Sequence, residues 1–230
     1  MVISHRTPAQ PRSSAEIATL LPCPEVVEAA RRRGITEIVH FTTIQGAVGI
    51  LASRRVKSRQ RLPSDRYLEH VYRPNAKTRS RDAAWLDYVN LSISRINDWM
   101  FDTSERWHIA DGVSWVVLSF TIEILGHPGV VFTSTNNIYP ACRRGEGLDG
   151  FSRLFDDVVL GRYSTRHTRH GLSDYFTTDR QAEVLYPGEL SIDHLQRIDV
   201  QVEEALYDIE GALGGLGLQV PVRHAPEVFE

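Results

Sequence analysis

A chain of 230 residues suits one substantial domain and is long enough to bury a real core. With 42% hydrophobic and 24% charged residues it has the composition of an ordinary soluble globular protein. A formal net charge of -3 excludes a global positive field as the means of attracting nucleic acid, so any polyanion site must come from local clusters. The two cysteines, Cys23 and Cys142, form neither a disulfide framework nor a paired-cysteine metal site and are expected as free thiols in a reducing compartment.

The N-terminal stretch "MVISHRTPAQPRSSAEIATLLPCP" lacks a long apolar run, so it reads as neither a signal peptide nor a membrane span, and the expected location is the cytoplasm. "PEVVEAARRRGI" predicts a helix: Pro24 suits its first turn, glutamates lie early, arginines lie late, and Gly34 ends it. "EIVHFTTI" follows as a β-branched and aromatic strand. "TIQGAVGILASRRV" predicts a short helix with Ile44, Ala47, Val48 and Leu51 on one side. From Lys57 to about Arg81 the chain turns polar and basic without a period, too long for an idle connector. "DYVNLSIS" alternates as a strand, with Tyr88, Asn90, Ser92 and Ser94 on one side.

"VSWVVLSFTI" is the strongest strand, nearly continuous in apolar residues and hence expected to be central. "GVVFTST" predicts another. The spacing of Leu148, Phe151, Leu154, Phe155 and Val158 predicts a helix through "GLDGFSRLFDDVV". A second basic loop, "GRYSTRHTRHGLSD", precedes a strand from Ala182 to Tyr186. A helical turn, a strand "IDVQV" and a helix from about Glu203 close the chain. Strands that are not regularly separated by helices predict an α+β fold rather than a doubly wound sheet. No GxGxxG follows a strand and no GxxxxGK[ST] is present, so Rossmann and P-loop nucleotide sites are unsupported.

Three elements carry chemistry. In "VHFTT", His40 with an aromatic and two hydroxyl residues offers hydrogen bonds to a sugar and a stacking face, or is a structural strand histidine. The stretch with Arg73, Arg79 and Arg81 suits a pyrophosphate, or is a solvated basic loop. In "DRQAEVL", Glu183 suits orienting a hydroxyl, stabilising a cationic sugar or taking a proton, or is an outward-facing strand residue. His167 and His170 have arginines around them and no nearby cysteine or carboxylate pair, so no metal site is expected.

On these residues the chain resembles the DarT-type DNA ADP-ribosyltransferases, toxins of bacterial toxin–antitoxin systems. "VHFTTIQGAVGIL" is similar to the family's opening strand and helix, "SRDAAWLDYVNLSISRINDWMF" to a stretch in which an arginine and an acid precede a strand, and "DRQAEVLYPGELSIDHLQRIDV" to the segment with the family's Gln-Ala-Glu. The resemblance covers about residues 36 to 200. It implies an ADP-ribosyltransferase-like split β-sandwich with NAD, a co-substrate, in the cleft between the sheets. It also implies a domain over residues 36–230, preceded by an extension over residues 1–35 with one short helix. By position, the resemblance makes Glu183 the catalytic glutamate, Arg81 its companion with Arg79 as second choice, and His40, Phe41, Thr42 and Gly49 the lining of the NAD site. Arg166, Arg169, Tyr175 and Arg180 fall in the loop that would meet single-stranded DNA. An antitoxin that removes ADP-ribose or blocks the site is the implied partner, and no membrane is. Where some relatives have an aromatic, proline-containing strand this chain has "DYVNLSIS", which suggests the branch acting on guanine rather than thymine. The other readings are an enzyme of the same fold acting on protein or tRNA, and a non-enzymatic nucleic-acid-binding module.

Overall fold

The computed structural model describes residues 9–62 and 83–230. Among them, eight strands form one sheet: β1 (Ile38–Thr43), β3 (Tyr88–Ile93), β4 (Trp115–Phe120), β5 (Val131–Thr133), β6 (Arg144–Glu146), β9 (Glu183–Pro187), β11 (Leu195–Val200) and β12 (Val222–His224). Their order across the sheet is β12-β11-β4-β1-β3-β9-β5-β6. Every neighbouring pair is antiparallel except β11 with β12. Two small sheets stand apart: β2 (Arg55–Lys57) with β10 (Glu189–Ser191), and β7 (Val158–Leu160) with β8 (Arg166–Thr168). The α-helices are α1 (Ser14–Ile17), α2 (Pro24–Arg32), α3 (Ile44–Ser53), α4 (Asp98–His108), α5 (Gly147–Ser152) and α6 (Glu204–Leu216).

A seam in the large sheet positions the site. Strand β1 pairs with β4 along its whole length, Ile38↔Phe120 through Thr43↔Trp115. On its other side it pairs with β3 only at Ile38↔Ile93 and Val39↔Ser92. Beyond Val39 the two strands part, and the sheet divides into β12-β11-β4-β1 and β3-β9-β5-β6. This is the mixed α+β fold that the strand pattern predicts, with the divided sheet that the resemblance implies.

Burial follows from alternation. β4 is buried at all six positions, as its continuous apolar run predicts. One face of the sheet carries the main core. Ile38, Leu91, Leu118, Val184 and Ile198 point into it and are covered by Val26 and Ala30 of α2, Leu51 of α3, Phe151 of α5 and Ile209 of α6. Each such large side chain contributes roughly 1.5–3 kcal/mol by leaving water. The expected boundary at residue 35 falls just after α2, which is packed into this core. On the opposite face Val39, Phe101, Trp115 and Phe229 form a second cluster, and Trp85, Tyr88, Val131 and Leu185 a third.

Two elements differ from expectation. The eleven-residue helix α4 follows β3, where the sequence suggests none. Asn97 caps it by accepting from the backbone N–H of Met100 at 3.1 Å, and Phe101, Ser104 and His108 form its buried side. Its mixed composition, with two tryptophans and several charges, hides that spacing. The helix expected to reach Val158 stops at Ser152, tightens through a 3-10 turn to Phe155, and gives way to β7, which folds back on β8. The second basic loop therefore contains a hairpin. Helix α3 begins as expected: the Thr43 side chain accepts from the N–H of Gly46 at 3.0 Å. Gly46 is required there, since a Cβ would come within 2.3 Å of the Thr42 hydroxyl.

Candidate active site

Glu183 opens β9. Its backbone is fixed by pairing with Thr133, whose hydroxyl accepts from the Glu183 N–H at 3.2 Å and donates to the carbonyl of Thr135 at 2.9 Å. Alternation along β9 places the Glu183 side chain on the face of Leu185, opposite Val184 and the main core. A strand glutamate on a solvated face would be exposed; this one is 8% exposed. Its Oε1 accepts from the Asn90 side-chain amide at 3.0 Å and its Oε2 from the backbone N–H of Asn137 at 2.8 Å. Asn137 is in turn held by Arg144, which donates from Nε to its side-chain oxygen at 2.6 Å and from a terminal nitrogen to its carbonyl. Two donors, one on β3 and one in the connection between β5 and β6, therefore set the plane of the carboxylate.

His40 arrives from the other side of the seam. Its Nδ1 lies 3.0 Å from the carbonyl oxygen of Asn90. A carbonyl only accepts, so Nδ1 carries the proton, and in the neutral ring Nε2 is left as an acceptor. Burial lowers the His40 pKa, and the Asn90 hydrogen bond opposes this in part. The imidazole is thus neutral at pH 7. Asn90 ties the two halves together: its main chain anchors His40 and its side chain anchors Glu183.

That lowered pKa makes stability depend on pH. The unfolded chain binds a proton at His40 near pH 6.5, and the folded chain only at lower pH. Stability is therefore full above pH 6.5 and is lost as the pH falls from there through the folded value. Burial lowers His127 in the same direction, so the two share the slope. The melting temperature is expected to fall on going from pH 7.5 to 5.5, and to fall less steeply in His40→Gln. An equal slope in both proteins would show that His40 is not the buried neutral group described.

The loop before Glu183 is pinned at several points. Tyr139 donates its hydroxyl to the Gln181 side-chain oxygen at 2.9 Å, and the Gln181 N–H donates to the buried Asp179 carboxylate at 2.9 Å. His167 on β8 faces the other Asp179 oxygen at 3.6 Å. Gly161 lets the hairpin close over that pair, because a Cβ there would lie 2.5 Å from His167 Nε2. Arg180 is ion-paired with Asp98 of α4, and the Arg95 guanidinium sits 4.1 Å from the centre of the Phe176 ring.

Residues 39–230 match the family described as "ssDNA thymidine ADP-ribosyltransferase, DarT". The chain belongs to the DarT family. It is accordingly an enzyme of the NAD-dependent ADP-ribosyltransferase class. No match is found among curated protein sequences. Among solved structures, the fold is similar to the DarT of Thermus sp. 2.9 in complex with ADP-ribosylated single-stranded DNA, with a TM-score of 0.62 at 15% identity over 86% of this chain and 97% of that one. It is likewise similar to the same protein with carba-NAD+, with a TM-score of 0.61 at 16% identity over 85% and 98%. A third likeness is to Thermosipho africanus DarTG in complex with ADP-ribose, with a TM-score of 0.52 at 12% identity over 84% of this chain and 50% of that one.

Within this DarT-family fold the expected site residues separate into groups. Glu183 and His40 are brought together through Asn90. Phe41 is half-buried, with its ring edge-to-face on Phe101 at 5.6 Å and Trp115 at 6.0 Å. Thr42 is buried at the end of β1, and Gly49 is partly exposed on α3. Arg166 is exposed on β8, while Tyr175 and Arg180 are exposed in the loop before Glu183. The Arg169 guanidinium is engaged within that loop: it donates to the carbonyls of Phe176, Ser173 and Asp174 at 2.7, 3.0 and 3.1 Å. Arg79 and Arg81 lie outside the described residues. Sequence reasoning missed Asn90, Asn137 and Arg144 as parts of the site. The polar alternation of β3 was a signal for Asn90, and the run "TSTNN" ending in Asn136 and Asn137 was one for a side-chain-supported turn. Among the described residues no group of three or more His, Cys, Asp or Glu is placed to hold a metal, and no helix is long and apolar enough to cross a membrane.

Proposed function

We propose that the protein cleaves NAD between nicotinamide and its ribose and transfers the ADP-ribose to a base of single-stranded DNA. The observation that carries this reading is the Asn90 bridge between His40 and Glu183 at the open seam of the sheet. As the glycosidic bond breaks, nicotinamide leaves with the bonding electron pair and positive charge spreads over the ribose ring oxygen and anomeric carbon. A fixed carboxylate beside that charge lowers the barrier. The Nε2 acceptor of His40 suits a ribose hydroxyl. A ring or exocyclic nitrogen of the base then bonds to the anomeric carbon and releases one proton, which Glu183 accepts. Arginine is a poor base because its pKa is so high, so Arg81, or Arg79, is assigned to orienting the cofactor side. Phe41, Thr42 and Gly49 line the donor site.

Arg166 and Arg180 serve phosphates and Tyr175 stacks, whereas Arg169 is assigned to holding the loop's shape. A single strand is the fitting substrate because the reacting atoms of a duplex are paired or crowded. The family's description names thymidine, which favours thymine. The polar strand at Tyr88–Ile93 favours guanine as the second reading. An antitoxin that removes ADP-ribose or blocks the cleft is the expected partner, supported by the likeness to a DarTG protein of which this chain covers only half.

Incubation with NAD and a single-stranded oligonucleotide, followed by mass spectrometry of released nucleosides, tests the reading. One deoxynucleoside heavier by an ADP-ribosyl group is expected, and its base decides between thymine and guanine. Label appearing only on protein or tRNA rejects the DNA assignment. Salt-sensitive DNA binding with no consumption of NAD reduces the protein to a binding module.

A further inference from the structure

We infer that Trp99, on α4 and outside the loop that precedes Glu183, is a stacking platform for an unpaired base of the DNA substrate, with Arg162 and Tyr163 beside it. The inference rests on the single-stranded-DNA reading and adds to it a residue and a second element of the fold.

Trp99 is 43% exposed, whereas Trp85 and Trp115 are buried in the core. More than two-fifths of this indole's surface therefore faces solvent from the outer side of the helix. The Arg162 guanidinium lies 5.4 Å from the centre of its ring and 4.8 Å from that of Tyr163, so one cation contacts both rings. Tyr163 is 87% exposed. It and Ser164 are both held in the left-handed region, with φ of 53° and 59°, a conformation that non-glycine residues adopt only when their surroundings impose it. The hairpin turn between β7 and β8 thus holds the tyrosine ring out toward solvent beside the tryptophan.

The platform is tied to the loop that precedes Glu183. Asp98, the neighbour of Trp99, is ion-paired with Arg180, three residues before Glu183 in the chain. Tyr139, bonded to Gln181 at 2.9 Å, holds the chain two residues before Glu183. Aromatic faces with an arginine beside them are the means by which unpaired bases are held without regard to sequence, since every base has a stacking face.

Titration with a single-stranded oligonucleotide of about ten nucleotides tests this, because a strand of that length spans one such groove. In the native protein the strand is expected to quench tryptophan fluorescence. Trp99→Phe is expected to lose that quench and to bind within about twofold of the native affinity, because the phenyl ring still stacks. Trp99→Ala is expected to bind about tenfold more weakly, with the same slope of log affinity against log salt, since no phosphate contact is removed. Native affinity in Trp99→Ala overturns the inference. So does Trp99→Phe binding as weakly as Trp99→Ala with a lowered melting temperature, which would make Trp99 a prop for the loop. If the native protein cleaves NAD but binds no single strand, the DNA reading itself fails and the inference falls with it.

Discussion

Replacing Glu183 with glutamine is expected to lower the rate of ADP-ribose transfer by about 10²–10⁴-fold while leaving the fold intact. The substitution keeps the shape of the side chain and removes its charge. In the native protein both carboxylate oxygens accept from N–H donors, Asn90 at one and the Asn137 main chain at the other. The glutamine must present its NH2 to one of them. The Asn137 N–H is backbone and cannot turn, so the glutamine oxygen stays there and its NH2 faces Asn90. The Asn90 amide can rotate to offer its oxygen, which keeps the contact between residues 90 and 183 paired and spares the cost of an orphaned donor there. On the proposed mechanism, what is lost is the negative charge beside the ribose and the acceptor for the base's proton. The two losses act on different steps, so both NAD cleavage and transfer should fall. A labelled oligonucleotide assayed for transfer, with thermal melting as the control for folding, reads the outcome. Transfer at the native rate would remove Glu183 from the mechanism.

The sequence disclosed the strands that matter because their burial is extreme. A continuous apolar run of that length suits an inner strand, and β4 is one; alternation along "DYVNLSIS" placed Asn90 on the polar side, where it lies. His40 and Glu183 were legible for a different reason, as parts of short patterns similar to a known family. What no local pattern contained was their meeting. The bridge needs β1 and β3 to pair at two positions and then diverge, and it needs a carbonyl whose partner is a side chain from far along the chain. Such a contact is a property of register, and register is written in no single segment. The Asn137 donor was hidden likewise, because its contribution is a main-chain N–H, which every residue but proline has. Helix α4 was missed because its apolar spacing is diluted by Trp99, Asp102 and Arg106 on the outer side. If Trp99 serves the substrate, that dilution is the functional signal that obscured the structural one.

Asn90→Asp is expected to cost about 10²-fold in transfer at pH 7, more than Asn90→Ala, although aspartate is the closer match in shape. In either variant the main-chain carbonyl of residue 90 still accepts from His40, so the imidazole keeps its anchor and only the Glu183 side of the bridge is touched. Alanine removes one donor from Oε1 and leaves the carboxylate held by Asn137. That loosens its orientation, and a loss of about tenfold is expected from misplacement alone. Aspartate instead sets an acceptor where a donor stood, 3.0 Å from Glu183. Two carboxylates at that distance cannot both be ionised at ordinary cost, so the pair retains a proton between them and titrates as a unit. At pH 7 the charge that the proposed mechanism sets beside the ribose is then partly neutralised. The acid limb of the pH–rate profile is expected to move further upward in Asn90→Asp, where a second carboxylate is added, than in Asn90→Ala, where one donor is lost, so the aspartate variant should regain activity relative to the native enzyme as the pH rises. A packing role for Asn90 would give the two variants the same profile, and that result would sever Asn90 from the orientation of the carboxylate.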